Sequence, residues 1–283
     1  AFFTFCTLSP FHKPAKLRYN QPMQSNSLPA AKPVNLHDLT LAELTAVCQR
    51  WGFSAYHAGQ IWSGIYLDGV TAVPQFANLR PDLHALLEKK AALTHLQQQI
   101  AIDSSDGLTR KYLLTLPDGD AIETVLMRFK GRWTACVSTQ VGCAMGCVFC
   151  ATGQMGFTRH LTPGEIVGQI LFVNRALAET GETLRNIVFM GMGEPLHNYD
   201  QTLAAIDILI DQKGLAIAPK HITLSTGGIV PGLLRLAAEK RPIRLAGSLH
   251  GATDSERQKL VPPARRWPLA ELMDACRTYT LAL

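Results

Sequence analysis

Hydrophobic and polar positions change texture twice along the chain. From Asn35 to Ala92 apolar residues recur at helical spacing: Leu41, Leu44 and Val47 behind Thr40 as N-cap, then Ile61, Ile65 and Tyr66, then Leu83, Leu86 and Leu87. This predicts a helical N-terminal domain over residues 35–95. From Gln98 to Ser138 short alternating or β-rich runs take over, Lys111 to Leu116, Ala121 to Phe129 and Arg132 to Ser138, split by Asp-Gly and Lys-Gly turns. These predict strands, in a β-rich connecting region over residues 96–133.

From residue 134 to 283 strand and helix patterns alternate, the signature of βα units on a mainly parallel sheet. The capping box Thr162-Pro163-Gly164-Glu165 opens a helix with Ile166, Ile170, Val173 and Leu177 on one face. A strand from Asn186 to Met190 precedes a helix from Asp200. Another from His221 to Thr226 precedes a helix from Pro231, and one from Ile243 to His250 precedes a helix from Pro268. The fold class is α/β with about four βα units, too few to close an eight-stranded barrel.

Composition narrows this further. A chain of 283 residues, 47% hydrophobic and 17% charged, is too apolar for wholesale disorder. Its apolar helical stretch Ile166 to Val173 is interrupted by Gly168 and Gln169 and falls well below the ~18 residues of a membrane span, so no membrane partner is expected. The net charge is +5, but Lys13, Lys16, Arg18 and Lys32 precede the first acidic residue, Asp38, leaving the body close to neutral. Bulk charge therefore gives no argument for nucleic acid. The local groups Arg128, Lys130 and Arg132, and Arg265-Arg266, could meet phosphates, or simply be solvated surface charge. Residues 1–34 read as a disordered or non-native tail. A transit peptide would be Arg-rich and a secretory signal would begin with basic residues, so a natural start at Met23 is preferred. Seven cysteines, three of them within eight residues, are no extracellular disulfide framework, and a reducing, cytoplasmic location is expected.

Those three, in Cys143-Ala-Met-Gly-Cys147-Val-Phe-Cys150, fall in a Gly-containing loop after a strand. Thiolates at this density suit a soft metal. An iron-sulfur cluster normally takes four, so a three-cysteine loop leaves one iron open to substrate. A structural zinc site competes, with Cys136 or His160 as fourth ligand. Glu123 shares a strand face with Val125, Met127 and Phe129. If that face is apolar, desolvation raises its carboxyl pKa and suits proton acceptance; an edge-strand glutamate facing solvent is the alternative. Cys136 reads as a buried strand thiol. Gly191-Met-Gly-Glu-Pro-Leu196 lacks the third glycine of a dinucleotide fingerprint, and the chain has no phosphate-loop motif.

The cysteine spacing, with an aromatic before the last thiol and after the first strand of a βα array, resembles the radical S-adenosylmethionine superfamily. That resemblance implies a [4Fe-4S] cluster whose open iron is chelated by S-adenosylmethionine, with reductive cleavage to a 5'-deoxyadenosyl radical. The segments Cys136-Val-Ser-Thr-Gln-Val-Gly-Cys143, Gly191-Met-Gly-Glu194-Pro195, Leu224-Ser225-Thr226-Gly227-Gly228 and Ser248-Leu249-His250, placed at strand ends, are similar to the RNA adenine methyltransferases of the RlmN and Cfr family, most of all the RlmN type. The similarity runs from about Leu36 to the last residue.

The resemblance implies that Cys143, Cys147 and Cys150 bind the cluster, and that Gly193, Glu194, Ser225, Ser248, Leu249 and His250 contact S-adenosylmethionine. It also implies that Glu123 accepts the adenine proton and that Cys136 attacks a methyl-carrying cysteine, releasing product as a disulfide bond forms. The implied reaction is methylation of carbon 2 of an adenine in large-subunit (23S) rRNA, and in tRNA, with an electron donor such as flavodoxin or ferredoxin. The quoted residues do not separate this from the carbon 8 reaction of the Cfr type. In the family the methyl-carrying cysteine, and an asparagine contacting the cosubstrate, follow later strands than the four seen here. The chain is thus expected to be C-terminally truncated, able to bind the cluster and, weakly, the cosubstrate, but not to methylate RNA. Cys276, on a helical face with Leu269, Leu272 and Met273, is expected to be a packed core thiol.

Overall fold

The structure is a computed structural model that describes residues 32–283. The expectations for the tail before residue 32, including a start at Met23, lie outside the described residues.

The N-terminal unit comprises β1 (Val34–Asn35), α1 (Leu41–Arg50), α2 (Ala55–Tyr66), α3 (Pro81–Lys90) and β2 (Ala91–Ala92), with β1 and β2 paired in parallel. Thr40 caps α1 as its sequence requires: its hydroxyl accepts from the Glu43 N–H while the Glu43 carboxylate accepts from the Thr40 N–H. Leu44, Ile61, Ile65, Leu83 and Leu87 are buried where the three helices meet.

The chain then runs through β3 (Gln97–Asp103), β4 (Thr109–Thr115), β5 (Ala121–Phe129) and β6 (Arg132–Cys136). A small hairpin of β7 (Gln140–Gly142) and β8 (Phe157–His160) encloses the short helix α4 (Ala151–Gln154). Next come α5 (Pro163–Ala178), β9 (Leu184–Phe189), α6 (Tyr199–Ile210), β10 (Ile222–Thr226), α7 (Val230–Ala238), β11 (Arg244–Gly247), α8 (Asp254–Leu260) and α9 (Leu269–Ala282). One seven-stranded sheet has the order β11-β10-β9-β6-β5-β4-β3. The strands β6, β9, β10 and β11 are parallel, giving the four βα strands the alternation predicts. Antiparallel β5, β4 and β3 extend the same sheet, so the β-rich region is continuous with the core rather than a separate layer.

The two faces of this sheet differ. Tyr112, Leu114, Ile122, Leu126, Ala135, Ile187, Phe189, Ile222 and Leu224 form a buried apolar face. Helix α5 covers part of it, with Phe172 against Tyr112 and Gln169 bonded to Thr124. The opposite face carries Lys111, Glu123, Val125, Cys136, Val188, Thr223 and Ser225, and of these only Cys136 is buried. A sheet with one covered and one open polar face has room for a ligand on the latter.

Two details differ from expectation. The last strand ends at Gly247, so Ser248, Leu249 and His250 follow it; His250 has φ 56°, which strand pairing does not accommodate. In α9 the buried positions are Leu272, Ala275 and Tyr279, while Met273 turns outward and Cys276 is partly buried against the core. Among the described residues no helix is long and apolar enough to cross a membrane.

Candidate active site

The three-thiol loop is closed by the β7–β8 hairpin. Gly142, at φ 73°, lies so close to Gly156 that any Cβ would overlap the Gly156 carbonyl, and the Cys143 N–H donates to that same oxygen at 2.8 Å. The Cys150 N–H donates to the Cys147 carbonyl at 3.1 Å, starting α4, whose Gly153 lies against Cys147. The Val148 N–H donates to Leu260, fixing the outer side of the loop to the end of α8. Cys143 is buried and Cys147 and Cys150 are half-buried. Burial, then the negative charge available at Cys143, Cys150 and Glu194, pushes the Cys147 thiol up to about 11. Burial likewise raises Cys143, with Glu194 and Cys150 adding to it. The raised values keep Cys143 and Cys147 as neutral thiols at rest, a cationic guest would favour their thiolates, and the donors are soft sulfurs alone. Among the described residues no three Cys, His, Asp or Glu side chains converge as ligands of a single ion. The fourth ligands considered for zinc are engaged elsewhere. His160 Nδ1 lies 3.0 Å from Gln140 Nε2, and Cys136 belongs to the open sheet face. The donor set fits a cluster held by three thiolates.

The turns after the parallel strands close around this loop. Gly191 packs on the Val137 carbonyl, where a Cβ would stand at 2.7 Å, and Gly193, at φ 99°, packs on Gln140. Glu194 is 4% exposed, and its carboxylate accepts from the Leu196 N–H at 3.1 Å and the Gly227 N–H at 2.8 Å. Burial raises its pKa while those two N–H groups oppose the rise. Glu194 therefore binds the turn after β9 to the turn after β10. The Ser225 and Ser248 hydroxyls are 3.3 Å apart, and the Ser248 N–H donates to the Thr226 carbonyl at 2.9 Å. The His250 ring lies on Phe149 of the cysteine loop, with centroids 4.2 Å apart, while Leu249 is partly exposed. So Gly193, Glu194, Ser225, Ser248, Leu249 and His250 gather at the C-terminal ends of the parallel strands, where open α/β sheets bind ligands.

Glu123 and Cys136 share the open face. Cys136 pairs with Val125, two residues from Glu123, so the two side chains are diagonal neighbours on adjacent strands. Burial pushes the Cys136 thiol up to about 12, with the Met190 backbone opposing and the nearby Glu123 charge adding to it. Neither setting left open for Glu123 is the one found. The buried face of β5 is Ile122, Thr124 and Leu126, and Glu123 is half-buried on the other face with its Oε1 2.9 Å from Lys111 Nζ. Nor does β5 lie at an edge, since β4 and β6 flank it.

Several organising residues escaped the sequence reading. Gln169 is wholly buried and takes four bonds: from Thr124 and the Ser138 N–H at its oxygen, and to the Ser138 and Glu165 carbonyls from its nitrogen. Asn198 donates to the Thr139 and Leu161 carbonyls, both at 2.9 Å. Arg257, 1% exposed, donates to the Gly227 carbonyl. The six described cysteines are all free. Arg128 is paired with Glu182 and lies over Trp133, whereas Arg265 and Arg266 are exposed in and after a short 3-10 turn.

A three-thiol loop after the first parallel strand, facing turns that end the next three, is the arrangement of a radical S-adenosylmethionine enzyme, and residues 137–281 match the radical SAM superfamily. Residues 34–93 match the ribosomal RNA large subunit methyltransferase N-terminal domain. A dual-specificity RNA methyltransferase RlmN of Myxococcus xanthus is 60% identical, over 89% of this chain and 70% of its own length. A probable dual-specificity RNA methyltransferase RlmN of Opitutus terrae is 52% identical, over 90% of this chain and 67% of its own. The crystal structure of a radical SAM methyltransferase from Sphaerobacter thermophilus superposes with a TM-score of 0.84 at 45% identity, covering 88% of this chain and 73% of that one. With both regions matched and identity this high, the chain belongs to the RlmN family of radical SAM RNA methyltransferases, enzymes dependent on S-adenosylmethionine.

Proposed function

We propose that this protein methylates carbon 2 of an adenine in large-subunit rRNA and in tRNA, by way of a methyl group carried on a cysteine. The observation that supports it most is the juxtaposition of Glu123 and Cys136 on the open sheet face, with β6 running on into the loop of three thiols. Cys143, Cys147 and Cys150 would hold a [4Fe-4S] cluster. Gly193, Ser225, Ser248, Leu249 and His250 would line S-adenosylmethionine, with Glu194 bracing the wall through Gly227. Cluster and cosubstrate together supply one-electron chemistry, fed by a donor such as flavodoxin or ferredoxin in the cytoplasm.

Adenine carbon 2 is electrophilic, so a methyl cation has no productive route to it. Once a new carbon–carbon bond has formed there, the ring proton must leave. Glu123 is the acceptor in this reading: Lys111 holds its Oε1 at 2.9 Å, leaving Oε2 without a protein partner among the described residues. Cys136 then attacks the sulfur of the methyl-carrying cysteine, forming a transient disulfide as the product's bond to that sulfur breaks. Its raised pKa keeps it a thiol at rest, guarding it against premature oxidation.

Nucleoside mass spectrometry tests this, on RNA from a host that lacks adenine carbon 2 methylation and expresses a full-length gene that also encodes the methyl-carrying cysteine. The expected product is 2-methyladenosine, abolished by Cys136→Ala and reduced at least about a hundredfold by Glu123→Gln. Finding 8-methyladenosine, or an undiminished yield from Cys136→Ala, would contradict it.

A further inference from the structure

Beside the cysteine loop, the β7–β8 hairpin and the turn after β9 bring together Phe157, His160 and His197, with ring centroids 5.0 to 5.6 Å apart. None of them belongs to the residue set assigned to chemistry above. The wholly buried Gln140 organises the group. A backbone N–H can only donate, so the Gln140 atom 2.9 Å from the Glu194 nitrogen is the amide oxygen. That leaves the amide nitrogen, 3.0 Å from Nδ1 of both His160 and His197, with one hydrogen for each. Both Nδ1 atoms accept, so both imidazoles are neutral and carry their proton on Nε2. Burial, then the neighbouring His197, lowers the His160 pKa and favours the same state. Neither Nε2 bonds to protein among the described residues. His197 is exposed and Phe157 is 42% exposed. The protein thus presents two fixed, uncharged N–H donors beside an accessible phenyl ring.

We propose that Phe157, His160 and His197 form an accessory subsite for an unpaired nucleotide of the RNA substrate, flanking the adenine to be modified. Its base stacks on Phe157, and its phosphate or sugar oxygens accept from the two Nε2–H groups. The proposal rests on the RNA methyltransferase reading and adds to it where a neighbour of the target is held. It has a distinctive physical consequence. Neutral donors displace no counterions, so they add affinity without adding salt dependence, unlike arginine contacts. Since Gln140 also receives the Glu194 N–H, the subsite is continuous with the turn that flanks the cosubstrate position.

The test is fluorescence anisotropy of the full chain with a labelled RNA hairpin whose single-stranded loop contains adenosines, titrated at several salt concentrations. Phe157→Ala should weaken binding about tenfold. The pair His160→Ala and His197→Ala should weaken it about fivefold while leaving the slope of log Kd against log salt unchanged. Circular dichroism checks folding, and Phe157→Leu serves if the alanine variant does not fold. Cosubstrate affinity of the iron-sulfur-loaded protein should stay the same. Unchanged RNA affinity in folded variants, a loss confined to cosubstrate binding, or a reduced salt slope in the histidine variant would each overturn the subsite. If the unaltered chain fails to bind the hairpin at all, the RNA reading itself falls, and the subsite with it.

Discussion

At the scale of single residues, the site depends on approaches too close for a side chain. Gly193 combines φ 99° with a neighbour, Gln140 Cβ, only 2.6 Å from where its own Cβ would stand. Gly52 also has a positive φ, 86°, but nothing lies within 4 Å. Gly193→Ala should therefore destabilise by at least about 2 kcal/mol, and Gly52→Ala by about 1 kcal/mol, from backbone strain alone. Chemical denaturation of the two variants checks this, and equal losses would contradict it. The candidate site was legible because motif and residue type point the same way: three thiols in eight positions, and Glu194 in a Gly-rich turn. The buried amides were not. Gln140 and Asn198 answer backbone atoms far away in sequence, which leaves no local pattern. Gln169 did leave a trace, as the polar interruption of the apolar run Ile166 to Val173. For Glu123 the two settings stayed open because alternation gives the two faces of a strand without saying which one the helices cover.

At the scale of elements, α5 is the member that joins the parts. Its first turn is capped by Thr162 and Glu165 in the expected box, and also by Asp38 from the N-terminal unit, whose Oδ1 accepts from the Gly164 N–H at 2.8 Å. Thr162→Ala and Asp38→Ala should each cost about 1 kcal/mol, measured by urea denaturation, and a zero effect of Asp38→Ala would remove it from the cap. Long amphipathic helices and parallel strands were readable from periodicity. Strand β3 was not identified, because all seven of its residues are exposed and three are glutamine. Helix α8 was also missed, although Thr253 and Glu256 form a capping box that its sequence spells out.

At the scale of the whole molecule, the N-terminal unit is linked to pH through His37. This residue is 3% exposed, its Nδ1 accepts from the Thr94 N–H at 2.9 Å, and Asp38 beside it caps α5. Burial, then Arg175, lowers its pKa from 6.5 to about 4. The unfolded chain thus binds a proton that the folded one refuses. Stability is intact above pH 6.5 and falls as the pH drops towards 4, by about 3 kcal/mol from this residue. Denaturation midpoints at pH 7 and pH 4.5 should differ by less in His37→Gln than in the unaltered protein, and an identical pH dependence would contradict the assignment.

The central claim for the molecule is that three thiolates hold a cluster and leave one iron for the cosubstrate. Anaerobic reconstitution with iron and sulfide, followed by metal analysis and electron paramagnetic resonance of the reduced protein, tests it most directly. About four irons and four sulfides per chain are predicted, with a signal that changes when S-adenosylmethionine is added and disappears in Cys143→Ala, Cys147→Ala or Cys150→Ala. One zinc per chain without sulfide, or a signal indifferent to S-adenosylmethionine, would contradict it.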